Sequence, residues 1–86
     1  MSLSTFERLV LWHIEDESTK KVAETTREFL EGQGGDIHDI AKIHEIPETL
    51  DNAERVAKAT LRDLNQHQET YGLESEFKGQ IPVTPQ

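Results

Sequence analysis

The sequence predicts an all-α fold, in which four short helices form a compact array and an extended C-terminal tail follows. Three observations support this prediction. Apolar residues recur at helical spacing in several segments, capping residues precede those segments, and Gly or Pro follows them. The chain has 86 residues, enough for one small domain. We assign the helical domain to residues 1–72 and a turn and tail to residues 73–86.

The first predicted helix covers residues 4–15. Ser4 and Glu7 have the spacing of a capping box, in which each side chain accepts a hydrogen bond from the backbone N–H of the other residue. We expect one side of this helix to face the core. The residues that recur at helical spacing on that side are Phe6, Leu9, Val10, His13 and Ile14.

A second helix is predicted over residues 19–31. If the first helix continued straight into this segment, the apolar residues of the two would lie on nearly opposite sides, and one core could not bury both. We therefore predict a break at residues 15–19, with Ser18 or Asp16 as the N-cap of the second helix. The glycines that follow are expected to end this helix.

The third predicted helix covers residues 37–45. Asp36 is placed to cap its start. Pro47 disfavours helical backbone at Ile46, so the helix is expected to stop near Glu45.

The fourth and longest predicted helix covers residues 51–71. Asp51 and Glu54 have the spacing of a second capping box, and Gly72 is the expected stop. Residues 73–77 fit either a helical turn or a strand, and the prolines beyond them require extended backbone. The predicted apolar face of this helix consists of Leu50, Ala53, Ala57, Leu61, Leu64 and Tyr71.

The second and fourth predicted helices show an internal repeat. Residues 20–30 align with residues 54–64 at an offset of 34. The identical pairs are Val22/Val56, Ala23/Ala57, Thr26/Thr60 and Leu30/Leu64.

The fourth helix and the segment after it contain a pattern shared with a known family. The matching positions are Ala59, Thr60, Leu61, Leu64, Gly72, Gln80 and Pro82. They resemble a bacterial domain-of-unknown-function family of tandem helical pairs, whose pattern is an Ala-Thr-Leu-x-x-Leu helix followed by Gly-Gly-Glu-Ala-x-Asp-Leu-Ala-x-Gln-Leu-Pro. The resemblance spans residues 19–86, implies helical pairs and supplies no activity.

Composition disfavours several classes of protein. The chain has 17 acidic and 9 basic residues and a net charge of −8, which disfavours nonspecific binding to nucleic acid. No apolar run approaches the ~18 residues of a membrane span. The absence of cysteine excludes disulfides and thiolate chemistry. No secretory signal is apparent, so we expect a cytoplasmic protein.

The sequence contains no pattern typical of catalysis or metal binding. There is no nucleophile elbow, no phosphate loop followed by Lys and no His-Glu-x-x-His motif. His38 and His44 are six residues apart, which places them on opposite sides of a helix. We expect His13 to pack on the apolar face and the other histidines to be solvated. The sequence therefore predicts a non-enzyme without metal or cofactor.

Leu11 and Trp12 point away from the apolar side of the first helix. This helix is thus apolar on more than one side, whereas a surface helix of a monomer normally has one apolar stripe of a little over ~100°. We predict a homodimer or higher oligomer whose contact includes Leu11, Trp12 and either Leu9 or Phe6. The alternative is a monomer with Trp12 between the first and fourth helices. The predicted function is a small acidic protein–protein interaction module that acts as an adaptor, inhibitor or regulatory subunit.

The alternative function is a DNA-binding regulator of the winged helix-turn-helix class. Helices at residues 36–45 and 52–71 would form the motif, and residues 73–84 would form the wing. Against this function, Asp51 and Glu54 precede two of the cations by one helical turn and are expected to pair with them. The wing would also be acidic. The cations that would contact DNA are Arg55, Lys58 and Arg62.

Overall fold

The computed structural model describes residues 3–33 and 36–77, with the backbone alone at Gln33. Every regular element in this part of the chain is helical, which confirms the predicted all-α class. Four of the helices have at least eight residues. In chain order the elements are α1 (Thr5–Glu17), α2 (Lys20–Gln33), α3 (Asp36–Ile43), a 3₁₀ turn (Leu50–Asn52), α4 (Ala53–Gln66) and α5 (Gln68–Tyr71).

The predicted capping box at the start of α1 is confirmed. The Glu7 N–H donates to Ser4 Oγ at 3.1 Å, and the Ser4 N–H donates to Glu7 Oε1 at 2.7 Å. The predicted break after this helix is also confirmed, because α1 ends at Glu17 and α2 begins at Lys20.

Thr19 caps the start of α2, and the prediction of Ser18 or Asp16 as its N-cap is wrong. The Thr19 hydroxyl accepts from the Val22 N–H at 3.3 Å and donates to Glu76 Oε1 at 2.7 Å. Thr19 caps the helix in place of Ser18 or Asp16 because its hydroxyl makes a second hydrogen bond. That bond is to Glu76 in the C-terminal turn, 57 residues away in sequence.

α3 ends before Pro47, because a proline disfavours helical backbone at the residue that precedes it. Glu45 adopts φ 55°, the Glu45 N–H donates to the Lys42 carbonyl and the Ile46 N–H donates to the Ala41 carbonyl. This is a Schellman motif, and it leaves Ile46 extended before Pro47. At the other end, α3 begins at Asp36 itself, so this residue is not the N-cap that the sequence predicted.

The fourth predicted helix is divided into three pieces in the structure. Its first turn is the 3₁₀ turn, and the chain breaks again at His67, between α4 and α5. The predicted capping box at Asp51 is wrong, because no side chain caps this helix and the Asn52 amide instead donates to the Pro47 carbonyl and Thr49 Oγ1, both at 3.1 Å. Leu50 is 53% exposed, so it is not part of the buried face.

The core forms where α1 packs against α4 and α2, and α3 contacts these same two helices. α1 contributes Phe6, Val10 and Ile14. The residues of the internal repeat occupy matching buried positions in α2 and α4, so the repeat corresponds to two equivalent packing faces. All eight are buried: Val22, Ala23, Thr26, Leu30, Val56, Ala57, Thr60 and Leu64.

The chain after α5 packs on the core. Gly72, at φ 68°, ends α5 as predicted, and residues 73–77 form a turn rather than a strand. Leu73 and Phe77 are buried, so packing extends five residues beyond the domain end assigned at residue 72. Residues 78–86, which include most of the predicted tail, lie outside the described part of the chain. Within that part, no helix has the length and apolar character needed to cross a membrane.

Candidate functional site

The outer side of α1 forms a ridge that faces away from the core. Arg8, Trp12 and Glu15 have the spacing i, i+4, i+7, and at 100° per residue they lie opposite the buried side of the helix. All three are exposed, and Trp12 is exposed over 60% of its surface. We call these three residues the α1 ridge. An exposed Trp gives this ridge the largest aromatic surface that a single side chain can present.

The four residues predicted to form an interface divide into three groups. Phe6 is 8% exposed and lies in the core of this chain. Leu9 and Leu11 flank the ridge and are partly buried against the core. Trp12 alone is mainly exposed, and the structure does not place it between α1 and α4 as the monomer alternative required. Among the four predicted residues, the free apolar surface is therefore concentrated at Trp12.

Shallow depressions lie on both sides of the Trp12 indole. One is an open cavity of about 260 Å³ lined by Leu3, Arg8, Leu11, Trp12, Glu15 and Arg27. The other is lined by Trp12, Glu15 and Asp16. The His13 ring meets the indole edge to face, with 5.1 Å between ring centroids, and so helps to hold it in place.

The surface around the α1 ridge carries charges of both signs, although the chain is strongly acidic. Arg8 and Arg27 stand against Glu15 and Asp16 along the two depressions. Arg27 also pairs with Glu31 on its own helix at 3.4 Å. The structure thus combines an exposed aromatic ring with charges of both signs, a composition suited to contact with another protein surface.

The three cations of the DNA-binding alternative line one groove. Arg55, Lys58 and Arg62 share this groove with His44, Ile46 and Ala59. Lys58 pairs with Glu54 at 3.4 Å, as predicted, whereas Arg55 Nη1 donates to Asn52 Oδ1 at 3.3 Å, so the predicted pair with Asp51 is wrong. The part of the wing that the structure describes, residues 73–77, is a turn anchored in the core.

His38 links three parts of the chain and is not solvated as predicted. Its Nε2 lies 2.6 Å from Glu7 Oε2 on α1, and its Nδ1 lies 2.8 Å from Glu48 Oε1 in the loop after α3. Partial burial by itself would lower the pKa of His38, but the hydrogen bonds to the two carboxylates outweigh burial and raise it. The bond to His38, together with the bond from the Ser4 backbone, lowers the pKa of Glu7. We call these three residues the His38 clamp.

A second, partly buried cluster consists of Asp36, Asp63 and Tyr71, and we call it the carboxyl cluster. The Tyr71 hydroxyl donates to Asp63 Oδ2 at 3.1 Å. Burial and the negative charge of Asp63 raise the pKa of Asp36 to about 6. Burial and the charges of both carboxylates also raise the pKa of Tyr71. The Asp36 Oδ2 atom is buried and has no hydrogen-bond partner within the described residues, and this burial favours the protonated acid.

Neither cluster forms a metal site. Among the described residues, no group of three or more His, Asp or Glu side chains is arranged to hold a metal ion. Sequence analysis missed both clusters because their members come from separate elements. Glu7 and His38 are 31 residues apart and meet only when α1 and α3 are packed.

Comparison with family models, with characterised proteins and with solved structures found no match. The resemblance to a family of helical pairs therefore stays a prediction.

Proposed function

We propose that this chain is a small protein–protein interaction module that docks on a protein partner through the α1 ridge. One observation carries the proposal, namely that Trp12 is 60% exposed on the side of α1 that faces away from the core. Burying a side chain of this size on a partner would contribute roughly 1.5–3 kcal/mol to binding. Trp is also among the residues that most often dominate binding energy at protein interfaces.

The proposed module is not an enzyme and acts in the cytoplasm as an adaptor, inhibitor or regulatory subunit. The side chains with shifted pKa values support the non-enzymatic role, because they contact one another across helices and do not line the depressions around Trp12.

Site-specific photo-crosslinking tests whether the α1 ridge docks on a protein. A photoreactive amino acid at Asp16, beside an intact Trp12, is expected to form a covalent adduct with the partner in cells that naturally produce the chain. The second substitution Trp12→Ala should remove that adduct without unfolding the protein, because the indole lies mainly in solvent.

The matched control places the same photoreactive group at Ile43. This residue is 72% exposed and lies at the end of α3, away from the ridge. Adducts at Asp16 that persist in Trp12→Ala, or that form equally at Ile43, would contradict docking through the ridge. Mass spectrometry of the adduct then shows whether the partner is a second copy or another protein.

One observation favours the alternative function, because Arg55, Lys58 and Arg62 line a common groove. A DNA-binding regulator would bind duplex DNA with strong salt dependence, and Arg55→Glu combined with Arg62→Glu would abolish that binding. We favour protein docking, because the net charge of −8 repels the phosphate backbone. The described part of the wing is also anchored in the core through Leu73 and Phe77, and the side chains between them include Glu74 and Glu76, whose charge would repel phosphate.

A further inference from the structure

We infer that the partner of the α1 ridge is a second copy of this chain, with the two α1 helices antiparallel about a two-fold axis beside Leu11 and Trp12. This inference rests on the proposed function and specifies its partner. In this arrangement Arg8 of each copy faces Glu15 of the other, and the two Trp12 rings lie side by side at the centre.

The charges around the ridge permit two acidic molecules to meet there. The chain carries a net charge of −8, so two copies repel each other over most of their surfaces. At the ridge, Arg8 and Arg27 lie among the carboxylates of Glu15 and Asp16, and Arg27 also pairs with Glu31. Repulsion from more distant charges is screened beyond about 8 Å at physiological salt. The ridge is therefore a place where an acidic partner meets two arginines as well as carboxylates.

The order of charges along the ridge favours the antiparallel arrangement. Arg8 comes before Trp12 in the chain and Glu15 comes after it, which at a rise of about 1.5 Å per residue puts opposite charges roughly 4.5–6 Å on either side of the ring. A two-fold axis pairs residue i with residue j and residue j with residue i. An axis beside Leu11 and Trp12 therefore forms the Arg8–Glu15 pair twice. Parallel helices would instead place each Arg8 against the other.

The apolar contact at the centre of the proposed dimer comes from residues on and beside the ridge that the core of the chain does not fully bury. Trp12 is mainly exposed, and Leu11 and Leu3 line the cavity beside it. Phe6 belongs to the core of its own chain and does not contribute. The charged pairs at the rim set the direction of the helices, and the indole rings supply most of the buried surface.

Charge reversal with mixing tests this arrangement. Arg8→Glu places two Glu–Glu pairs in the dimer, and Glu15→Arg places two Arg–Arg pairs there. We expect each variant alone to weaken self-association by roughly ten-fold in sedimentation experiments. An equimolar mixture of the two should form a heterodimer as strong as the wild-type dimer, because each pair then joins opposite charges again.

Arg55→Glu serves as the matched control. It makes the same change of charge on α4, away from the ridge, and should leave self-association within about two-fold of wild type. Residues 8 and 15 are both exposed, so circular dichroism is expected to show that all three variants are folded.

Two results would overturn the inference. A wild-type chain that stays monomeric at about 200 μM, while the Asp16 crosslink joins it to a different protein, would exclude a second copy and leave docking through the ridge intact. A dimer that both charge reversals leave unchanged, or that mixing fails to restore, would exclude the antiparallel pairing. If the photoreactive group at Asp16 formed no crosslink to any protein, that result would instead contradict the proposed function itself.

Discussion

Thr26 and Thr60 occupy corresponding positions of the internal repeat, but their buried hydroxyl groups differ in hydrogen bonding. Both side chains have 0% exposure. The Thr26 hydroxyl donates to the Val22 carbonyl one turn earlier on α2, at 3.0 Å. Thr60 Oγ1 has no hydrogen-bond partner among the described residues. A buried hydroxyl without a partner loses its hydration and gains nothing in return.

Valine substitutions at these two positions should therefore change stability in opposite directions. Thr60→Val keeps the shape of the side chain and removes the unpaired hydroxyl, so we expect the free energy of unfolding to rise by about 1 kcal/mol. Thr26→Val removes a formed hydrogen bond and should lower it by roughly 0.5–1 kcal/mol. Urea denaturation measures both changes, provided that the m-value is unchanged. Destabilisation by Thr60→Val would show that its hydroxyl has a partner in solution.

Helical spacing could predict which residues of α1 face the core, but it could not predict the contacts of His38. The exposure of Trp12 and the burial of Phe6, Val10 and Ile14 follow from 100° per residue. The two carboxylates around His38 come from α1 and from a loop, and their approach depends on how the elements pack. No pattern near His38 in the sequence indicates that approach.

At the scale of elements, two helices end with the same motif but with different residues in the left-handed position. α5 ends at Gly72, whose N–H donates to the Glu69 carbonyl while the Leu73 N–H donates to the Gln68 carbonyl. α3 ends in the same way at Glu45, which adopts φ 55°. A residue with a Cβ atom pays roughly 1–2 kcal/mol for that conformation, and glycine does not.

Exchanging the residue type at these two ends should shift stability in opposite senses. Glu45→Gly is expected to raise the free energy of unfolding by about 0.5–1 kcal/mol, which is the relief of strain less the added entropy of the unfolded chain. Gly72→Ala is expected to lower it by about 1 kcal/mol, since no atom lies within 4 Å of the added Cβ and the cost comes from the backbone alone. Thermal unfolding of the two variants provides the comparison. A fall in stability for Glu45→Gly would mean that the side chain contributes more than the strain it imposes.

Helix ends could be predicted from the sequence where the signal lies in neighbouring residues. The predictions were wrong where contacts with distant residues decide how a helix begins. The Ser4 capping box and the Gly72 stop each depend on neighbours within a few residues, and both are confirmed. The Asp51 capping box failed because Asn52 bonds to the preceding loop and winds the first turn as a 3₁₀ turn. Thr19 replaced the predicted caps because of its bond to Glu76, far along the chain.

At the scale of the whole molecule, the His38 clamp and the carboxyl cluster make stability depend on pH in the same direction. The pKa of His38 is raised in the folded state, so its contribution is fully present below about 6.5 and is lost as the pH rises through the folded value. The pKa of Asp36 is raised from 3.8 to about 6, so ionisation of this carboxyl increasingly disfavours the folded state between those values. Glu7 opposes both, because its lowered pKa stabilises the fold above about 4.5 and this contribution is lost in acid.

We therefore expect the folded chain to be most stable in mild acid, near pH 4.5, and to lose stability as the pH rises from there towards 8. Urea denaturation measures the free energy of unfolding across this range. Above pH 6 it should decline much less in His38→Gln than in the wild type, because glutamine does not titrate. Asp36→Asn should raise stability at neutral pH relative to the wild type and flatten the decline between about pH 4 and 6. Exposed His44 provides the control, and His44→Gln should keep the wild-type profile. If His38→Gln and His44→Gln gave the same profile, general repulsion within an acidic chain, rather than the His38 clamp, would set the pH dependence.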